Sequence, residues 1–173
     1  MKSSIEIEQI DITELKVDAI VNAANRQLSA GGGVCGAIFR KAGHFELADA
    51  CSEIGGCETG DAVITPGFDL KAKFIIHAVG PVWHGGDDGE VELLYSAYKS
   101  SLVLAKENDC RSIAFPLISS GIYGYPKNQA WQIAIQACSD FIKDNSDYQI
   151  SIIFAVLSDE SRETGEKTIA NMH

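Results

Sequence analysis

The chain has 173 residues, of which 46% are apolar, with 14 basic against 24 acidic side chains and a formal net charge of −10. This length and apolar content are expected to give one compact domain over residues 1–173 with a substantial core, and they exclude a disordered chain. The acidic balance argues against a general nucleic-acid surface, and it leaves any anionic ligand to be held by local dipoles against an unfavourable average field.

In chain order, SIEIEQI (residues 4–10) alternates apolar and polar residues and reads as a strand. VDAIVNAA (17–24) holds a short apolar centre at Ala19, Ile20 and Val21 and reads as a buried strand. GVCGAIFRKAG (33–43) opens a helix after a run of glycines, with Gly43 as its C-terminal stop. FELADACSEIGG (45–56) has helical spacing and closes on Gly55 and Gly56. DAVITPG (61–67) and KFIIHAVG (73–80) are two further strands. HGGDDGE (84–90) has the most flexible composition of any loop. GEVELLYSAYKSSLVLAKEN (89–108) is an amphipathic helix whose inner face is expected at Leu93, Leu94, Ala97, Ser101 and Leu104. SIAFPL (112–117) is a buried strand, KNQAWQIAIQACSDFIKDN (127–145) a helix and QISIIFAVL (149–157) a strand. DESRETGEKTIANM (159–172) is a last helix with an acidic first turn that suits its dipole.

Strands alternating with helices predict an α/β sheet covered on both faces. In such sheets ligands bind beyond the carboxyl ends of strands. Two segments in that position stand out: NAANRQLSAGGGVCGAI (22–38) and LISSGIYGYP (117–126). Each follows a strand, precedes a helix and is rich in glycine, so main-chain amides can form a nest for an anion at a helix start. Two such loops can hold two linked phosphates from opposite sides. The first loop carries no lysine before Arg40, so it is no nucleotide-triphosphate loop with a phosphate-reaching lysine, and it is not read as a dinucleotide fingerprint. The five cysteines form no Cys-x-x-Cys pair, and the start MKSSIEIEQIDITE lacks an apolar leader core. Free thiols in a reducing cytoplasm are therefore expected, with no structural zinc site and no membrane span.

Taken together, NAANRQLSAGGGVCGAI and SSGIYGYP, with DIT (11–13), GGCETGDAVITPGF (55–68), IIHAVGPVW (75–83) and IAFPLISSGIYGYP (113–126), resemble the macro domain family, and within it the MacroD-like branch. The resemblance covers nearly the whole chain. It implies a three-layer α/β/α fold with a mixed central sheet, and a cleft for ADP-ribose. It also implies hydrolysis that removes ADP-ribose from acidic protein side chains or deacetylates O-acetyl-ADP-ribose, with water and without cofactor or metal. An ADP-ribose-binding module with little or no turnover is the alternative. The implied partners are ADP-ribose and an ADP-ribosylated protein or metabolite; no membrane is implied, and nucleic acid enters only as an ADP-ribosylated end.

By the same resemblance, Asp11 meets the adenine amino group and Ile12 follows with its backbone. Asn25 meets the distal ribose, while Asn22 orders the loop from within. Gly31, Gly32, Gly33 and Val34 wrap the distal ribose and diphosphate. Ser119, Ser120, Gly121, Ile122, Tyr123 and Gly124 form the second phosphate loop, with Tyr123 beside the distal ribose. Three positions depart from the family pattern. Leu157 stands where an aromatic ring stacks on adenine. Ile10 replaces the glycine before DIT. Cys35, ten residues after Asn25, stands where many MacroD-like hydrolases keep a water-orienting aspartate. Asn25 and Cys35 are the candidate catalytic pair. Three readings of Cys35 stay open: a small packing residue, a thiolate activated at a helix N-terminus, or a binding or redox-sensing group. His77, inside an apolar strand, is expected to be a hydrogen-bonded core residue.

Overall fold

A computed structural model describes residues 2–172. Its strands are β1 (Ser4–Gln9), β2 (Ala19–Ala23), β3 (Ala62–Pro66), β4 (Phe74–Ala78), β5 (Ser112–Phe115) and β6 (Ser151–Val156). Its helices are α1 (Gly33–Ala42), α2 (His44–Ile54), α3 (Glu90–Glu107), α4 (Lys127–Asp144) and α5 (Asp159–Met172). Every segment expected from periodicity forms. The one element the pattern did not offer is a 3-10 turn, Ile12–Glu14, capped by the Asp11 side chain accepting from Thr13 N. Such a turn is shorter than any hydrophobic period and is written in its cap alone.

The strands make one six-stranded sheet in the order β1-β6-β5-β2-β4-β3. All neighbours are parallel except β3 with β4, so the sheet is mixed. Helices α1 and α2 cover one face around Ile38, Phe39 and Leu47. Helices α3, α4 and α5 cover the other, around Leu94, Tyr98, Trp131 and Ile135. The result is three layers, α/β/α. On α3 the inner face is centred on Leu94, Ala97, Tyr98, Ser101, Leu102 and Ala105, while Leu93 and Leu104 are only half-buried at its margins. The face is thus rotated from the expected one, because Tyr98 is drawn inward to pack against Phe115, with ring centroids 5.1 Å apart and the planes tilted by 55°. Gly43 ends α1 at φ +109, a conformation that explains the glycine there.

Parallel pairing brings the carboxyl ends of β1, β6, β5 and β2 to one edge of the sheet. The chain leaves that edge through the two glycine-rich loops, so topology alone places them face to face.

Candidate active-site cleft

A cleft of about 660 Å³ opens at this edge, a size suited to a small-molecule ligand. Asp11, Ile12, Asn25, Gly31, Gly32, Gly33, Val34 and Cys35 line it from one side. Ser119, Ser120, Gly121, Ile122 and Tyr123 line it from the other, and Leu157, just after β6, completes the lining. Of the residues the sequence assigned to ligand binding or catalysis, Gly124 alone stands outside the lining. Its φ of +73 and its amide bond to Gly121 O (3.0 Å) make it the turn that closes the second loop.

The first loop runs from Ala23 to Gly33 and is clasped by Asn25. The Asn25 Nδ2 donates to Ser29 O at 3.0 Å, and its Oδ1 accepts from Ser29 N at 3.0 Å and Ser29 Oγ at 3.3 Å. One amide hydrogen of Asn25 is left to donate to a ligand. The Cys35 thiol, 5% exposed, donates to the same Ser29 carbonyl at 3.7 Å. Ser29 therefore joins the two candidate catalytic residues. Sequence reasoning missed it because a loop serine belongs to no periodic pattern. Gly36 lets α1 approach the loop: a Cβ there would lie 2.6 Å from Gly31 O. Gly31, Gly33 and Gly36 do have G-x-G-x-x-G spacing. However, β2 ends at Ala23, well before Gly31, so these glycines do not form the strand-to-helix turn of a dinucleotide fold.

Asn22, expected to order this loop, does something else. Its Nδ2 donates to His77 Nδ1 at 3.1 Å inside the core, tying β2 to β4. The loop is ordered by Asn25 instead. The other His77 nitrogen, Nε2, lies 3.0 Å from Thr65 Oγ1. The ring is fully buried, and burial pushes its pKa down to about 4, so it is neutral. His77 is the core residue that the sequence suggested.

The second loop, after β5, is held from behind. The Tyr98 hydroxyl accepts from Ile118 N at 2.9 Å and donates to Pro116 O at 3.4 Å. Ser119 adopts φ +68, and its buried Oγ has no hydrogen-bond partner in the protein. Gly80 lies beneath it, where a Cβ would overlap the Ser119 hydroxyl. The Tyr125 amide returns to Ser119 O, and the Trp83 amide donates to Tyr123 O, both at 2.9 Å. At the cleft mouth the loops meet: a Cβ on Gly32 would lie 3.9 Å from Ile122 Cδ1, and Ile122 is 89% exposed.

At the far end, Asp11 Oδ1 accepts from Thr13 Oγ1 at 2.7 Å and Thr13 N at 2.9 Å. These bonds hold its carboxyl below the usual range, so it stays an ionised acceptor. Ile10, Ile12, Val156 and Leu157 make an aliphatic wall beside it, with Leu157 81% exposed. Lys127 is the one cationic side chain in the lining, which the sequence reading did not single out. The cysteines are all free thiols, and no helix among the described residues is long and apolar enough to cross a membrane.

This is an α/β protein of the class that receives a small anionic ligand between two glycine-rich loops at the strand ends. The macro domain family profile matches residues 21–134, and the chain belongs to that family. It is 58% identical to an O-acetyl-ADP-ribose deacetylase of Salmonella gallinarum, over 82% of this chain and 81% of that protein. It is 53% identical to the ADP-ribose glycohydrolase MACROD2 of Xenopus laevis, over 84% of this chain and 35% of that longer protein. Among solved structures, the Oceanobacillus iheyensis macrodomain with ADP superposes with a TM-score of 0.94 at 38% identity, covering 99% of this chain and 92% of that one.

Proposed function

We propose that the protein binds ADP-ribose in this cleft and hydrolyses its esters: O-acetyl-ADP-ribose, mono-ADP-ribose on acidic protein side chains, or both. The observation that carries the reading is the pairing of two glycine-rich loops across one cleft, with Asn25 and Cys35 joined through Ser29 at its end. Gly31, Gly32, Gly33 and Val34 line the cleft together with Ser119, Ser120, Gly121 and Ile122, and main-chain amides in glycine-rich loops suit a diphosphate. Asp11 accepts from the adenine amino group, and the free Asn25 amide hydrogen donates to the distal ribose.

In the reaction, water adds to the ester carbonyl and the ribosyl oxygen departs as the hydroxyl of ADP-ribose. The acyl group leaves as a carboxylate, with one proton released to solvent. A thiol at position 35, engaged with Ser29 O, is no match for a carboxylate base. The diphosphate itself can accept a hydrogen bond from the water, so positioning supplies most of the acceleration. General-base catalysis adds about 10²–10⁴-fold where it operates, and turnover is expected to be low by that margin. The same feature favours the second reading, a binding module with little turnover. The five free thiols fit a reducing cytoplasm, where an ADP-ribosylated protein or metabolite would be the partner.

The test is release of free ADP-ribose from O-acetyl-ADP-ribose and from a target ADP-ribosylated on aspartate or glutamate. Wild-type protein is expected to release it, and Asn25→Ala to lose about 10²-fold through a misplaced ribose and an unclasped loop. Binding without release at stoichiometric enzyme would leave the module reading. Absence of binding at millimolar ligand would remove both.

A further inference from the structure

Glu90, the first residue of α3, is a carboxylate that the cleft does not use. It is 1% exposed and lies outside the cleft lining. Its Oε2 accepts from the main-chain amides of His84 at 2.8 Å and Gly86 at 2.9 Å, and its Oε1 accepts from Asp88 at 2.7 Å. The segment 84–89, whose composition reads as mobile, is thereby gathered around one side chain. Gly85, Gly86 and Gly89 take φ of +99, +96 and +75, which turns the amides inward. The protein has built an anion nest and filled it with its own carboxylate. Burial alone would raise the Glu90 pKa, yet the amides of His84, Gly86 and Asp88 outweigh it and hold the group at about 2.

The nest lies against the cleft wall. Gly86 is pressed on the Trp83 indole, where a Cβ would lie 3.0 Å from Cη2. The Trp83 ring packs on Tyr125 with centroids 4.7 Å apart, and the Trp83 amide bonds Tyr123 O. Tyr123 lines the cleft. Contacts therefore run without a break from the Glu90 carboxylate to the main chain of Tyr123.

We propose that Glu90 is a positioning residue for the distal end of the cleft: by holding the 84–88 segment on Trp83, it fixes the Tyr123 wall against which the distal ribose sits. This rests on the ADP-ribose reading above. A simpler role, a favourable charge in the first turn of α3, would change stability but treat all ligands alike. The two roles differ in which part of the ligand suffers. ADP carries the adenine and diphosphate without the distal ribose; ADP-ribose carries all three.

Glu90→Gln keeps the shape and removes the charge. Calorimetry is expected to give ADP affinity within about twofold of wild type, while ADP-ribose loses about tenfold. The single-turnover rate on O-acetyl-ADP-ribose is expected to fall by about tenfold or more. Glu90→Asp, which keeps the charge, recovers part of both. Gly86→Ala leaves the carboxylate intact but drives the segment off Trp83, so it should reproduce the selective loss, and it decides the matter if Glu90→Gln does not fold. Equal weakening of ADP and ADP-ribose, or no change in either, overturns the proposal. Wild-type protein that binds no ADP-ribose overturns the function reading instead. In that case hydrogen exchange of the Trp83 amide still decides: faster exchange in Glu90→Gln or Gly86→Ala supports the assignment, and unchanged exchange removes it.

Discussion

The two glycine-rich loops face each other across one cleft but lean on different supports. Residues 25–36 are held from within: Asn25 clasps Ser29, Cys35 reaches the same carbonyl, and Gly36 admits the loop backbone against α1. Residues 117–125 close on themselves through Tyr125 N to Ser119 O and Gly124 N to Gly121 O, and are also held from outside, by the Tyr98 hydroxyl on α3, by Trp83 and by the gap above Gly80. Each loop contains one buried non-glycine residue at positive φ, Leu28 at +58 and Ser119 at +68. Such a conformation costs on the order of 1–3 kcal/mol and persists only where the surroundings over-determine it. In the first loop the surroundings are mostly near in sequence, with Cys57 N donating to Arg26 O at 2.9 Å from farther away; in the second, bonds within the loop are joined by contacts from distant elements. The first loop is therefore expected to move as a unit with α1, and the second to report on the state of the whole α3 side.

The sharpest way to break this comparison is to place one side chain in each loop. Gly121 has open space where a Cβ would be, and its φ is not positive, so Gly121→Glu is expected to fold as wild type. Its carboxylate would occupy the diphosphate position and repel the ligand, lowering ADP-ribose affinity by about 100-fold or more. Gly36→Ala must push Gly31 O away and is expected to cost about 1–3 kcal/mol of stability as well as affinity. Thermal melting and calorimetry together read the difference. A Gly121→Glu variant with normal affinity would put the ligand elsewhere.

What was legible in the sequence follows the same division. The strands and helices show through periodicity, and Gly43 marks a helix end by itself. The glycines of both loops were visible as a local requirement of the turns, whereas Asn25 and Asp11 were legible as site residues only through the family resemblance. Tyr98 was not, since its role depends on Ile118, twenty positions away, and a tyrosine on an amphipathic helix reads only as core. Glu90 fell at the end of the loop whose composition is most flexible, and its three amide partners follow from glycines at positive φ that composition cannot distinguish from looseness. That Asn25 rather than Asn22 orders the loop has a similar cause. Both are asparagines near a strand end, and only the inward direction of residue 22 on β2 brings it to His77.

Acid separates the supports of the two loops. His77, which anchors β2 below the first loop, has its pKa lowered to about 4 from 6.5. The unfolded chain takes up that proton first, so stability falls as pH drops from about 6.5 towards 4, by roughly 3 kcal/mol at most. Glu90, which supports the second loop, has its pKa lowered to about 2 from 4.5. Its contribution is present above pH 4.5 and is lost as pH falls through the folded value. Urea unfolding against pH is expected to show the upper window vanish in His77→Gln and the lower one in Glu90→Gln. A single window lost in both variants would mean that the two supports titrate as one.

The smallest expected effects concern one donor behind each loop, Tyr98 on α3 and Cys35 on α1. Tyr98→Phe removes a buried hydroxyl that serves both Ile118 N and Pro116 O, and nothing else lies ready to replace it. Leaving those groups unpaired is expected to cost about 1–3 kcal/mol. Cys35→Ala removes a weak donor at 3.7 Å from a carbonyl that still receives the Asn25 amide. The thiol is a small apolar body in the core beside Ile38 and Phe39, so its loss is expected to cost about 1 kcal/mol. Hydrolysis should then stay within about threefold of wild type, because Asn25 still clasps Ser29 and the loop amides keep their places. Single-turnover rates at saturating enzyme check this directly. A fall of about 10³-fold in Cys35→Ala, with ADP-ribose affinity unchanged, would reveal a contact made only in the transition state. The first loop would then contain a reactive thiolate, and its self-contained clasp would be a device for aiming that sulfur at the ester.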